Sequence, residues 1–115
     1  VCPLRLTKKS DALICLLYKE YCQKVKSGAS RQKTKMFGGS SDIQETIVPK
    51  WSVEDVDDCC FELSDKGLLD VKEADNCAYF VWLSNDGIIY MENRFKNGLK
   101  GVLNHLSKIA SFLPI

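Results

Sequence analysis

Three groups of residues have the charge or reactivity to do chemistry. The first is a basic cluster, Lys24, Lys26, Arg31, Lys33 and Lys35, set in and beside a stretch rich in serine and glycine. Lysines on such a segment can follow a phosphate backbone without selecting bases. The second is acidic: Glu54, Asp55, Asp57, Asp58 and Glu62 crowd into nine residues with Phe61 among them. An aromatic ringed by carboxylates is a protein-binding anchor when exposed and ordinary packing when covered. The third is six cysteines and one histidine. No C-x-x-C pair is present and His105 is distant from the cysteines, so no metal is expected. Cys59-Cys60 lies among acids, not in the positive surroundings that activate a thiol, and His105 has no evident nucleophile beside it. Gly38-Gly39 fits neither the dinucleotide fingerprint nor the P-loop spacing. The reading is a non-enzyme without a cofactor.

Composition sets the frame for these groups. At 115 residues, 45% of them hydrophobic, the chain can close one core without staples, so a single domain over residues 1–115 is expected. No apolar run approaches the roughly 20 residues of a membrane span, and Val1-Cys2-Pro3-Leu4-Arg5-Leu6 is too broken for the core of a signal peptide. A cytoplasmic protein follows, with its cysteines reduced and acting as small buried hydrophobes. The net charge of +1 conceals a segregation: residues 1–50 carry +6, residues 51–90 carry −8 and residues 91–115 carry +3. Such asymmetry decides whether a polyanion can approach, and from which side.

The elements follow from period and punctuation. Ser10 is expected to cap a helix from Asp11 to about Lys26, with Leu13, Ile14, Leu17, Tyr21 and Val25 on one face. Residues 27–40 read as a flexible basic connection, with Met36 and Phe37 placed to pin it to the core. Ser41-Asp42-Ile43-Gln44 matches a capping box for a short helix that must stop before Pro49. Ser52 caps a third helix, in which Val53, Val56, Cys59, Cys60 and Leu63 share an arc of roughly 120° at about 100° per residue. Gly67 closes it. Leu68 to Glu73 and Ala78 to Leu83 form a β-hairpin, with Phe80 and Trp82 on one face of the strand and Tyr79 on the other; packing in the core, rather than base stacking, is the expected role of these rings. Ser84 caps a fourth helix, interrupted or kinked at Asn97-Gly98. Phe95, Leu99, Val102, Leu106, Ile109 and Leu113 then repeat at the spacing of a helix seam, which packs either on the first helix or on a second copy.

This order, with helices leading into a hairpin and further helices, predicts an α+β, mainly α fold: a winged helix, that is a helix-turn-helix plus a two-stranded wing, with C-terminal helices. At the residue level, Trp51-Ser52-Val53-Glu54-Asp55-Val56-Asp57-Asp58, Leu63 with Lys66-Gly67-Leu68-Leu69, and Trp82-Leu83-Ser84-Asn85-Asp86-Gly87-Ile88-Ile89-Tyr90-Met91 resemble the YjcQ-like family of small bacterial and phage winged-helix proteins. The resemblance spans about residues 50–113. It implies the winged-helix fold, and with it a presumption of DNA binding.

The third helix argues against the usual mode of that binding. Its outward face carries five acids where a reading helix carries arginine, lysine, asparagine or glutamine, and each acid would meet the phosphate backbone. The sequence therefore supports an accessory or regulatory protein that meets DNA weakly and largely without sequence preference. The contacts would come from Lys24, Lys26, Arg31, Lys33 and Lys35, with Lys72 of the wing. The alternatives are an interaction module that meets a basic protein through Glu54, Asp55, Asp58, Phe61 and Glu62, and an inhibitor that competes with DNA for another protein. Phe61 is expected to be covered by the wing or the final helix. The seam residues are the candidates for a homodimer.

Overall fold

The computed structural model describes residues 6–75 and 77–110, without the side chains of Arg31 and Gln32. Its first helix, α1 (Lys8–Lys26), is capped by Thr7, whose side chain accepts from the Ser10 amide at 3.4 Å. The cap therefore lies three residues before the expected Ser10, which is turned inward and fully buried. Ala12 through Tyr18 are all buried. A helix apolar around so much of its circumference is one that other elements surround, and the helices Val53–Asp65, Asn85–Arg94 and Leu99–Ile109 all pack against it. Its apolar face ends near the half-buried Tyr21, because Val25 is 50% exposed.

The segment expected to be flexible is folded. Ser30 caps a five-residue helix, α2 (Arg31–Lys35), by accepting from the Lys33 amide at 3.4 Å. A strand, β1 (Met36–Gly38), follows directly. Thr34 is buried, and Phe37 packs against the core, so the segment is pinned at two points. Of the two residues expected to hold it, Phe37 does so and Met36 is exposed.

The next helix, α3 (Ser40–Thr46), is capped at Gly39, and its reciprocal contact comes from Asp42, which accepts the Gly39 amide at 3.1 Å. Gln44, expected to serve there, instead donates to the carbonyls of Pro49 at 3.1 Å and Trp51 at 2.9 Å, tying the turn that leads into α4. α4 (Val53–Asp65) begins at Ser52 as its sequence requires, the side chain accepting from the Asp55 amide at 3.2 Å. Val56, Cys59, Cys60 and Leu63 are buried, but Val53, in the first turn, is 37% exposed. Gly67 has φ +78° and lets the Leu68 amide return to the Leu63 carbonyl at 2.9 Å, which ends the helix.

The sheet has three antiparallel strands in the order β1-β3-β2, one more than the hairpin predicted from sequence. β2 (Leu69–Ala74) and β3 (Cys77–Leu83) pair Leu69 with Leu83, Asp70 with Trp82, Val71 with Val81 and Lys72 with Phe80. β1 adds Met36 opposite Trp82 on the other side of β3. An irregularity between Lys72 and Glu73 gives β3 an extra residue beside Ala78, which shifts its alternation, so that Val81 and Leu83 face inward while Phe80 and Trp82 face outward. α3 and α4 pack on the sheet.

Ser84 caps α5 (Asn85–Arg94), accepting from the Gly87 amide at 2.9 Å while its hydroxyl donates to the Gly67 carbonyl at 2.6 Å. Gly98, at φ +64°, separates α5 from α6 (Leu99–Ile109) at the predicted Asn97-Gly98 break. The architecture is α+β and mainly helical, with one small antiparallel sheet. Among the described residues, no helix is long and apolar enough to cross a membrane.

Candidate functional site

The acids of α4 are largely engaged within the chain. Lys9 Nζ lies 2.7 Å from Asp55 Oδ2, and the lysine holds that carboxyl below the usual aspartate range. Glu62 accepts from the Thr7 amide at 2.9 Å and from the Thr7 hydroxyl at 3.1 Å, so it anchors the start of α1. Asp57 is buried and accepts from the Ala78 amide at 2.9 Å, fixing the hairpin to the helix. The sequence reading placed Asp57 on the outward face; its proximity to an otherwise unsatisfied strand amide draws it in. Glu54 and Asp58 remain exposed. Phe61 is half-buried and packs against the core, as expected for a covered ring. The surface that would form a protein-binding patch is thus divided between the sheet, the core and the first turn of α1.

The basic cluster forms a corner where the ends of α1 and α2 meet β1. Lys24 donates to the Met36 carbonyl at 3.1 Å and sits 4.8 Å from the centre of the Phe37 ring. Lys35 donates to Asn85 Oδ1 at 2.6 Å, linking α2 to the start of α5. Lys26 and Lys33 are exposed. Lys72, on β2, lies 5.7 Å from the centre of the Trp82 ring. Among the described residues, none of these five lysines makes an ion pair with a carboxylate. Arg31 belongs to α2, but its side chain lies outside the described residues. The lysines are therefore presented by folded elements at fixed positions, which sequence reasoning missed because Ser30 and Thr34 look like linker residues until their cap and burial are seen.

The aromatic strand is the second departure. Core packing was the expected role of its rings, yet Phe80 and Trp82 lie on the outward face with centroids 4.5 Å apart, both half-buried, and Tyr79 is exposed. The extra residue in β3 is the cause, since one inserted position moves every following side chain to the other face.

The C-terminal seam packs inward. Val102, Leu106 and Ile109 are buried and α6 lies on α1, so these three of the six residues offered for a homodimer pack within the chain. Phe95 ends α5 instead of beginning α6; its ring lies tilted against His105 with centroids 5.5 Å apart, and Leu99 is half-buried. Leu113 lies outside the described residues. Leu103, which the seam pattern omitted, is the exposed leucine of this helix.

His105 has neighbours that the sequence did not reveal. Arg94 donates to both carboxylate oxygens of Asp11, and its second nitrogen lies 3.2 Å from His105 Nε2. Asp11, Cys15 and His105 each bring one potential ligand atom within 4.8 Å of the others. Arg94 already occupies the carboxylate as the resident cation, and burial followed by the Asp11 charge pushes the Cys15 thiol up to about 12. A thiol held protonated there is a poor nucleophile. The group therefore works as a clamp between α1, α5 and α6.

The cysteines otherwise diverge from the expectation that all are buried. Cys77 is exposed and Cys22 half-buried, while burial pushes Cys60, like Cys15, up to about 12. Cys2 lies outside the described residues. Alkylation of the folded protein at pH 8, read by mass spectrometry after digestion, should modify Cys77 quickly and leave Cys15 and Cys60 unmodified until denaturant is added. Rapid native labelling of Cys15 would contradict its placement.

No family model, curated protein or solved structure matches the chain.

Proposed function

We propose that this chain is a cytoplasmic winged-helix protein of accessory or regulatory kind, which associates with nucleic acid through phosphate contacts made by Lys24, Lys26, Lys33 and Lys35, with Lys72 of the wing. The topology supports the fold: α1, α3 and α4 form the helical part, the hairpin follows α4, and β1, inserted between the first two of those helices, pairs with the hairpin's second strand. The resemblance of residues 50–113 to YjcQ-like winged-helix proteins belongs to the same reading. The observation that carries the function is the contrast between two charged surfaces. Three acids of α4, Asp55, Glu62 and Asp57, are held by Lys9, Thr7 and the Ala78 amide, whereas the lysines of the corner have no carboxylate partner among the described residues. Their positive charge is thus available to a polyanion. The same contrast disfavours the interaction module built on the acidic helix, and the inward packing of α6 removes the reason to invoke the seam for a homodimer.

Binding to an arbitrary duplex should show the signature of counterion release. Five phosphate contacts give a slope of log K against log salt of about −4.5, hence a loss of roughly 500-fold in affinity between 50 and 200 mM salt. The quadruple alanine variant of Lys24, Lys26, Lys33 and Lys35 should keep its fold and lose both the binding and the slope. If the wild-type protein binds neither duplex nor single strand at 50 mM salt, the proposal fails.

A further inference from the structure

We infer that the outward face of the sheet is a stacking platform for unpaired bases, so that the nucleic acid this chain prefers is single-stranded. The inference rests on the phosphate-binding reading above and specifies its ligand. Phe80 and Trp82 pack against each other on the central strand, ring centroids 4.5 Å apart and planes tilted by 31°. Around them, on the same face by register, are Met36 of β1 and Asp70 and Lys72 of β2. Met36, Asp70 and Lys72 are exposed, whereas Val81 and Leu83, on the opposite face of β3, are fully buried. Beside Trp82 is a cavity of about 390 Å³ lined by Lys35, Asp70, Trp82, Leu83 and Asn85.

The chemistry of this arrangement fits a base and its phosphates better than a peptide or a duplex. Aromatic rings on an open sheet offer every base a π-face, which a paired and stacked base cannot use. Lysines at the two sides, Lys35 from α2 and Lys72 from β2, lie within reach of backbone phosphates. Lys72 now rests near the Trp82 ring, and an arriving base would replace its ammonium there and release it to a phosphate. β1 follows directly on the helix that carries Lys33 and Lys35, and Lys24 donates to the Met36 carbonyl of β1. Asp70 needs a reason on a surface that meets a polyanion. Placed opposite Trp82 and able only to accept, it suits the exocyclic amine of cytosine, adenine or guanine; thymine carries an acceptor oxygen where cytosine carries that amine, and its one donor, N3–H, lies one ring position away. Asn85, with its carbonyl oxygen held by Lys35, has its amide nitrogen left to donate to a ring acceptor.

Three twelve-residue probes separate this inference from the reading on which it rests: a single strand of deoxycytidines, an abasic strand of the same length, and a duplex. Binding is measured at 50 mM salt by anisotropy of labelled strands and by protein tryptophan emission. Trp51 is buried, so quenching reports on Trp82. The deoxycytidine strand should bind roughly 5- to 150-fold more tightly than the abasic strand and quench the emission, as one stacked base requires. Trp82→Ala should erase that difference while still binding the abasic strand, and Trp82→Phe should restore most of it. A thymidine strand should bind more weakly than the cytidine strand, and Asp70→Ala should level the two. These last comparisons need no change in the aromatic pair, so they stand even if Trp82→Ala proves unstable. Equal affinity for cytidine and abasic strands, or tighter binding of the duplex, overturns the platform and leaves the phosphate reading intact. Failure to bind any of the three overturns both.

Discussion

Replacing Gly87 by alanine should destabilise the protein by about 3 kcal/mol or more, the upper range of ordinary overpacking. Helix propensity alone argues for the opposite sign, because alanine in a helix is favoured over glycine by about 1 kcal/mol. Geometry decides the contest. A Cβ on Gly87 would lie 2.1 Å from the Leu68 carbonyl oxygen, well inside contact distance. Neither side can yield cheaply. Leu68 is buried, and its carbonyl accepts from the Ser84 amide at 3.3 Å, while the Gly87 amide is held by the Ser84 hydroxyl at 2.9 Å. Relief requires the first turn of α5 to move away from the start of β2, and Ser84 must then release Gly67 as well. Equilibrium unfolding in urea, followed by circular dichroism, measures the change. A variant as stable as the wild type would mean that the helix and strand do not approach each other in this way.

Leu106→Glu and Leu103→Glu form the second test, with opposite outcomes expected from leucines three positions apart on one helix. Leu106 is 8% exposed against α1, and Leu103 is 44% exposed. Truncating a core leucine costs about 2–5 kcal/mol, and a carboxylate placed there adds a desolvation penalty. Against a total of about 5–15 kcal/mol for a domain of this kind, Leu106→Glu should abolish cooperative folding or reduce it to a marginal transition. Leu103→Glu should stay within about 0.5 kcal/mol of the wild type. A well-folded Leu106→Glu protein would mean that the apolar side of α6 faces another chain, and the homodimer would return as an explanation. Thermal unfolding together with gel filtration distinguishes the cases.

Much of the fold was legible where one local rule acts alone. Ser52 and Ser84 read as caps and are caps, Gly67 reads as a helix terminator and is one, and the period of Val56, Cys59, Cys60 and Leu63 marks the buried side of α4. The failures come where a distant contact outweighs the local signal. Ser10 has the composition of a cap, but α1 begins earlier because Thr7 is positioned by Glu62, 55 residues away. Residues 27–40 are polar enough for a linker, yet β3 offers them a free edge to pair with, and no local pattern announces that edge. The site was legible as residue types and not as an arrangement. Lysine counts suggested phosphate contacts, but the inserted residue that turns Phe80 and Trp82 outward depends on the pairing of β2 with β3, and Asp57 belongs to the hairpin only because Ala78 is brought to it.

The order of the strands has a consequence for how this protein behaves in a crowded solution. β3, with Cys77, Tyr79, Phe80, Val81 and Trp82, is the segment of the chain best suited to pairing with copies of itself. It is also the central strand, so both of its edges are already taken. The edges left for a stranger are β2, which carries Asp70, Lys72 and Glu73, and β1, only three residues long and ending at Gly38 with φ +77°. Charge guards one and brevity the other. The small strand folded from an apparent linker thus keeps the aromatic strand from serving as a template for aggregation.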